Sequence, residues 1–368
     1  MILEARCCSG LNMRHINRSR RLVLVCLLVW LCLGDLGCQR AVRVSALQFL
    51  AGRTMGTSYS IKLVPAEGAA DLALVSEQVE AELEAVNAQM STYITTSELS
   101  RFNSQKSADW FPVSPQTAEV VQLSLLLSQQ TEGAFDVTVG PLVELWGFGS
   151  SPREVRAPSQ QSIREALESV GADKLAVRSA PPALKKNHPL VQVDLSAIAK
   201  GHGVDRVAEV LDRLNFKAYF VEIGGEVRTR GRKPDGSAWQ VGIEHPAPDQ
   251  CSVERVLPLS DRSLATSGNY RNYFEFEGKR YAHTLNPRTG WPVEDPIVSA
   301  SVVADNCASA DGIATGLMSA GFEAGMAMAE KHGWSVMVMR ATRNGAFEIA
   351  ESSQFSKDFP APPQAAAK

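Results

Sequence analysis

Apolar and polar residues first alternate, then recur at helical spacing along this chain. Ser58-Tyr59-Ser60-Ile61-Lys62-Leu63 has a period of two and predicts a strand. From Asp71 to Met90 the apolar positions Leu72, Val75, Val79, Leu83 and Val86 fall on one face, which predicts a helix. A second helix is expected over Gln116 to Gln130, after Pro115 and before Gly133. Residues 149–160 and 179–189 are rich in Gly, Ser, Arg or Pro and read as loops. The second half predicts a strand ending at Asp194, a helix over Ala197 to Leu214, and strands near Ala218 to Glu222 and Trp239 to Ile243. Strands at Tyr270 to Phe276 and Ile297 to Val303 follow, then helices over Ala308 to Ser319 and Glu323 to His332, and a strand at Ser335 to Met339. Strands and helices do not alternate regularly, so the expected class is α+β rather than a doubly wound sheet.

The N-terminus breaks the pattern. A basic stretch (Arg14, Arg18, Arg20, Arg21) runs into the apolar residues Leu22 to Leu33 and then Gly34-Asp35-Leu36-Gly37-Cys38. That apolar run is shorter than the roughly 20 residues a helix needs to span a bilayer, which favours an export signal. Gly37-Cys38 resembles a bacterial lipobox, with Asp35 where that motif usually has Leu. Lipidation of Cys38 is the expectation; a cleaved soluble form and an uncleaved signal anchor are the alternatives. Met13 is an alternative start. The resulting organisation is a signal peptide (1–37), a lipidated cysteine and tether (38–48), an enzyme domain (49–355) and a disordered Pro/Ala-rich tail (356–368).

Composition adds exclusions. The chain is 45% hydrophobic and 21% charged, as soluble globular proteins are. The formal charge of −3 gives no hint of nucleic-acid binding, and loss of residues 1–37, with five Arg and two acidic residues, takes it to −6, an acidic body that speaks against membrane-surface electrostatics as its function. Five of seven cysteines lie at or before Cys38, leaving Cys251 and Cys307 and no disulfide framework. P-loop, dinucleotide-fold glycine and zinc-protease signatures are absent.

Several polar clusters carry candidate chemistry. Asp311 and Thr315 are four apart and would share a helix face, so a carboxylate and a hydroxyl could reach one Mg²⁺ ion. A helix-capping Asp311 is the alternative. Asp194, in Asp194-Leu195-Ser196-Ala197-Ile198-Ala199-Lys200-Gly201, sits before a helix whose N-terminal amides favour anions; an N-cap role for Asp194 or Ser196 is the alternative. His283, in Ala282-His283-Thr284-Leu285-Asn286-Pro287-Arg288-Thr289-Gly290, could move protons near neutral pH, or be structural. Met55 and Gly56 could lie against a flat ligand, and Ile223-Gly224-Gly225-Glu226 suggests a bulge or tight turn between strands.

The order of these motifs resembles the FAD:protein FMN transferase family, ApbE. The resemblance runs from about Gly52 to Met339 through Thr54-Met55-Gly56-Thr57, Met90-Ser91-Thr92-Tyr93, Ser97 to Asn103, Gly133 to Leu142, and Leu145-Trp146-Gly147-Phe148-Gly149. It continues through Asp194 to Asp205, Ile223 to Glu226, Ala265 to Tyr270, His283 to Gly290 and Ala310 to Thr315. It implies a flavin site between two halves of the fold, with FAD as substrate held by Met55, Tyr93, Ala134, Phe135, Asp136, Asp194, Lys200 and Leu285. It further implies Mg²⁺ held by Ala197, Asp311, Ala314 and Thr315. His283 is the expected proton acceptor, with Asp194 the alternative. Asn286 and Ala314 depart from the commoner Asp at those positions. The expected reaction cleaves FAD and links FMN to a Thr or Ser of an acceptor, releasing AMP. Expected acceptors are flavin-bearing subunits of respiratory ion-pumping complexes of the sodium-translocating NADH:quinone oxidoreductase or Rnf type, met at the periplasmic side of the inner membrane. An FAD pyrophosphatase and a non-catalytic flavin-binding lipoprotein are the rival readings.

Overall fold

Strand-forming segments from both ends of the chain meet in one sheet. The computed structural model describes residues 46–65, 67–150, 156–246, 252–269, 273–295, 297–342 and 346–361. In chain order the first half holds β1 (Gln48–Thr54), β2 (Thr57–Leu63), α1 (Leu72–Met90), α2 (Glu98–Ser104), β3 (Phe111–Pro112), α3 (Pro115–Gln130), α4 (Gly140–Trp146), α5 (Gln160–Leu167), β4 (Leu175–Ser179) and β5 (Pro182–Lys186). Then come α6 (Ala199–Arg213), β6 (Tyr219–Ile223), β7 (Glu226–Arg230), β8 (Trp239–Glu244), β9 (Val253–Leu259), β10 (Ser263–Gly268), β11 (Tyr273–Phe276) and β12 (Lys279–Ala282). The chain continues with β13 (Ile297–Ala304), α7 (Cys307–Ala320), α8 (Phe322–His332), β14 (Ser335–Ala341), β15 (Phe347–Glu351) and α9 (Ser353–Asp358).

The main sheet has eight strands in the order β1-β2-β6-β7-β10-β13-β14-β15, every neighbouring pair antiparallel. This is the α+β class that irregular alternation predicts. Alternation assigns the two faces. Val221 and Ile223 of β6 pack with Val75, Val79 and Leu83 of α1 and Val204, Val207 and Leu211 of α6. Their neighbour Phe220 points the other way, with Val227, Leu264, Val303 and Met337, onto the β8–β9 hairpin and Phe355 of α9. A further cluster joins α3, α7 and α8 to β13 and β14. Each large side chain so buried contributes about 1.5–3 kcal/mol.

Local signals explain most boundaries. Asp71 caps α1 by accepting from the Leu74 amide at 2.9 Å. Ser114 caps α3, with Pro115 in its first turn, where no amide donor is needed. Met55 (φ 47°) and Gly56 (φ 73°) form the two-residue turn between paired Thr54 and Thr57, a left-handed pair that suits a tight hairpin. Gly224 (φ 62°) and Gly225 (φ 106°) do the same between Ile223 and Glu226, so the glycine pair is a turn between strands, as expected.

Other boundaries differ from the sequence expectation. The segment expected as loop over 179–189 contains β5, which pairs with both β3 and β4. Among the described residues the strand expected to end at Asp194 makes one isolated bridge, Val139 to Gln192, in place of a ladder. A side chain replaces the missing strand: Asn103 donates to the Val193 carbonyl and accepts from the Val193 amide, both at 2.8 Å. Buried Lys186 adds bonds to the carbonyls of Asn103 and Val191. Helix α9, with Phe355 fully buried, carries the packed body to Phe359, beyond the boundary drawn at 355. The export signal and Cys38 lie outside the described residues. Among the described residues no helix is long and apolar enough to cross a membrane.

Candidate functional site

Helix α7 organises the candidate site. Its sequence is small and almost wholly buried, and Gly312 and Gly316 leave no room for a side chain: a Cβ would come within 2.5 Å of Leu127 and 2.8 Å of Thr131. The helix therefore lies directly against α3 and the turn that follows it. Asn306 caps it through the Ser309 amide, and Asp205 of α6 accepts from the Cys307 and Ala308 amides, at 2.9 Å each. Asp205 is in turn paired with Arg228. Capping is thus supplied by Asn306 and Asp205, which leaves Asp311 for another role.

Asp311, Thr315 and Ser319 form a polar stripe at four-residue spacing, and each meets a different segment. Asp311 accepts from the Gly201 amide at 3.0 Å and lies 3.7 Å from the Lys200 ammonium. Thr315 shares a hydrogen bond of 3.0 Å with Ser267 of β10. Ser319 donates to the Leu285 carbonyl at 3.0 Å.

Lys200 also pairs with Glu226 at 2.9 Å, so one ammonium faces two buried carboxylates. Burial alone would lower the Lys200 ammonium, but Asp311 and Glu226 override it and hold the group above its ordinary value. Burial pushes both carboxylates up, against the pull of Lys200. Among the described residues one oxygen of Glu226 is buried without a hydrogen-bond partner. The cluster therefore carries unsatisfied negative character. Among the described residues no group of three or more His, Cys, Asp or Glu is arranged to hold a metal. One carboxylate, one hydroxyl and backbone carbonyls nevertheless fit Mg²⁺, which takes hard oxygen donors and keeps positions for phosphate and water. Ala197 lies in the turn just before α6. Ala314 has its methyl in the core, so only its mid-helix carbonyl is on offer, and that group also serves the helix ladder.

Among the expected nucleotide residues, Lys200 lies in α6, Met55 packs on α6, Phe135 packs on α7, and the Leu285 carbonyl accepts from Ser319 of α7. Met55 lies across Gly203 of α6, where a Cβ would be 2.7 Å from its methyl. The Asp194 amide donates to the Val137 carbonyl at 2.8 Å, which joins that segment to Ala134-Phe135-Asp136. Asp194 accepts from Ser196 in a local turn, while α6 begins after Ile198 with no side-chain cap, so neither Asp194 nor Ser196 is an N-cap. Tyr93 is largely exposed; partial burial and the charge of Asp194 raise its hydroxyl. Phe135 is turned into the core against α7, so its side chain is committed to packing. The Asp136 carboxyl is raised by burial, despite bonds from Thr138, and borders a cavity of about 410 Å³ also lined by Gly133, Gly171, Asp173 and Arg288.

The His283 segment is held differently. Trp146 packs on Phe274, Tyr281 and Trp291 and donates to the Gly290 carbonyl at 2.8 Å. Phe148 meets the His283 ring edge-on, with centroids 6.4 Å apart. Thr284 donates to Asn269 at 2.6 Å. Asn286 accepts from the Arg288 and Thr289 amides, a turn an Asp carboxylate would make equally well, so the Asn keeps the structural role. His283 itself is half-buried.

Sequence reasoning left Glu226, Ser267, Asn269 and Asn103 without roles. All four stood inside its motifs, but their partners are distant in sequence. Proteins of similar sequence and fold are known. The ApbE family pattern matches residues 55–338. The chain is 46% identical over 304 residues to an FAD:protein FMN transferase of Vibrio cholerae, covering 83% of this chain and 90% of that protein. It is 41% identical over 344 residues to one of Haemophilus influenzae, covering 92% and 98%. Among solved structures, flavin transferase ApbE from Vibrio cholerae matches with a TM-score of 0.79 at 43% identity, covering 85% of this chain and 99% of that one. The apo flavinyl transferase ApbE of Pseudomonas stutzeri matches with a TM-score of 0.80 at 35% identity, covering 86% and 98%.

Proposed function

Because the chain belongs to the ApbE family and is a flavin transferase, we propose that it cleaves FAD and leaves FMN on an acceptor hydroxyl. The observation that carries this reading is the Lys200–Glu226–Asp311 cluster at the meeting of α6 and α7, beside the Met55 turn. A pyrophosphate resists attack because its charge repels nucleophiles. Lys200, kept protonated by the two carboxylates, would offer a fixed ammonium to phosphate oxygens, while the excess of carboxylates in the cluster leaves the main neutralisation to a bound cation. Asp311, Thr315 and the Ala197 carbonyl would hold Mg²⁺, with Ala314 beside them. When bound, that ion supplies charge neutralisation at the phosphates.

In the reaction the Oγ of an acceptor Thr or Ser forms a bond to the FMN-side phosphorus, and the bond from that phosphorus to the AMP oxygen breaks. The hydroxyl proton passes to His283, or to Asp194 if the histidine is dispensable, and AMP departs with the electron pair. Tyr93, exposed beside Asp194, offers a ring face to the isoalloxazine, and the Ala134-Phe135-Asp136 backbone lines the nucleotide. We further assign the chain to the periplasmic face of the inner membrane, anchored through lipidated Cys38. Its acceptors there would be flavin-bearing subunits of sodium-translocating NADH:quinone oxidoreductase or Rnf-type complexes. A shared membrane surface would bring enzyme and acceptor together.

The test incubates the purified body from Gln39 with FAD, Mg²⁺ and an acceptor domain, then reads the acceptor's mass. A gain of one FMN, abolished by EDTA, is the expected result. Free FMN and AMP with an unmodified acceptor would instead identify a pyrophosphatase, and intact bound FAD a carrier.

A further inference from the structure

A threonine hydroxyl has one proton and two lone pairs, so a threonine that offers oxygen to a cation must send its proton elsewhere. In mid-helix that proton ordinarily returns to the carbonyl one turn back, here Asp311. This protein does otherwise: among the described residues the hydrogen-bond partner of Thr315 Oγ1 is Ser267 Oγ, at 3.0 Å. Strand β10 aims Ser267 at α7 by alternation. Ala265, fully buried, faces the same way, whereas Thr266 turns to the opposite face and bonds Ser301 at 2.8 Å. Six consecutive pairs with β13 fix the register of Ser267, and Asn269 just beyond is tied to the Val298 carbonyl.

We propose that Ser267 is a positioning residue that takes the Thr315 proton and so turns the Thr315 lone pairs toward the cation. This rests on the metal reading of Asp311 and Thr315. A cation beside Thr315 repels the Ser267 proton, which sets the direction of the shared bond: Thr315 donates and Ser267 accepts. Nothing in the family resemblance assigned the serine, and its partner is 48 residues away.

The test titrates MnCl₂ into FAD-loaded protein and reads free Mn²⁺ by electron paramagnetic resonance. Ser267→Ala is expected to weaken Mn²⁺ binding about ten-fold, as loss of one hydrogen bond to a ligand would. Ser267→Thr, which keeps a hydroxyl, is expected to restore binding to within about three-fold. In a Thr315→Val background, where binding is already weak, Ser267→Ala is expected to add less than about two-fold, because the two residues act as one unit. Unchanged Mn²⁺ affinity in Ser267→Ala, or losses that multiply in the double variant, would overturn the assignment. Asp311→Asn separates the two levels. If Asp311→Asn loses Mn²⁺ while Ser267→Ala does not, only the serine role falls; if Asp311→Asn binds as before, the metal reading falls and takes the inference with it.

Discussion

The two flanks of the candidate site are built on different principles. On the α6–α7 flank, buried charges meet across helices packed too closely for a Cβ: one at Gly201 would lie 2.4 Å from the Cys307 carbonyl. On the His283 flank, aromatic rings and turn hydrogen bonds hold a half-buried loop next to the two-stranded β11–β12 ribbon. Fixed charge needs a frame that cannot relax, whereas a group that must meet an incoming acceptor hydroxyl needs access. The first flank should fail abruptly when altered, and the second by degrees.

The largest expected effect is Asp311→Asn, which should lower FMN transfer by about 10³-fold at fixed Mg²⁺ while the protein stays folded. Transfer rate and circular dichroism together check it. A second change probes the frame through pH. His202 of α6 is buried, its Nε2 has no hydrogen-bond partner among the described residues, and burial lowers its pKa to about 4. Its folded value lies below the unfolded one of about 6.5, so the unfolded chain binds the proton first. The associated stability is present above about pH 6.5 and is lost as pH falls toward 4, by up to ~3 kcal/mol. Urea midpoints at pH 7 and pH 4.5 should therefore converge in His202→Phe relative to the unaltered protein.

On the open flank, His283→Ala should slow transfer by about 10²-fold and flatten the pH–rate profile. A near-normal rate would move the proton role to Asp194. Gly201→Ala should cost about 2 kcal/mol by urea unfolding, because the new methyl meets backbone that cannot step aside. The smallest effect is expected from Trp146→Phe, about 1 kcal/mol, since it removes one bond to Gly290 and leaves an aromatic ring. Hydrogen exchange should show faster opening at Gly290 without change in α7.

Legibility followed the range of the interaction. Helices α1, α3, α6, α7 and α8 show in the sequence because periodicity and caps are local. Strand β5 was hidden because it starts at Pro182 and ends in two lysines, one of which is buried with its ammonium 5.1 Å from the Phe102 ring centre. The segment before Asp194 reads as a strand, but beyond its single bridge to Val139 and the Asp194 amide bond to Val137 its hydrogen bonds come from the Asn103 side chain, 90 residues away in the sequence. Within the site, Asp311 and Thr315 were legible from four-residue spacing on one helix. Glu226 was not, because its partner Lys200 comes from another element and the glycines beside it explain themselves as a turn.

The polar stripe and the glycine pair of α7 carry a genetic consequence. Substitution can vary Asp311, Thr315 or Ser319 singly, each answering to its own partner. Insertion or deletion of one residue within the helix rotates everything beyond it by about 100°. The glycine contacts and the polar contacts downstream would then fall out of step in a single event. Over the fourteen residues from Cys307 to Ala320, length should be held more strictly than identity. A library that varies both would separate the two: replacements tolerated at some positions, and no tolerated change in residue number.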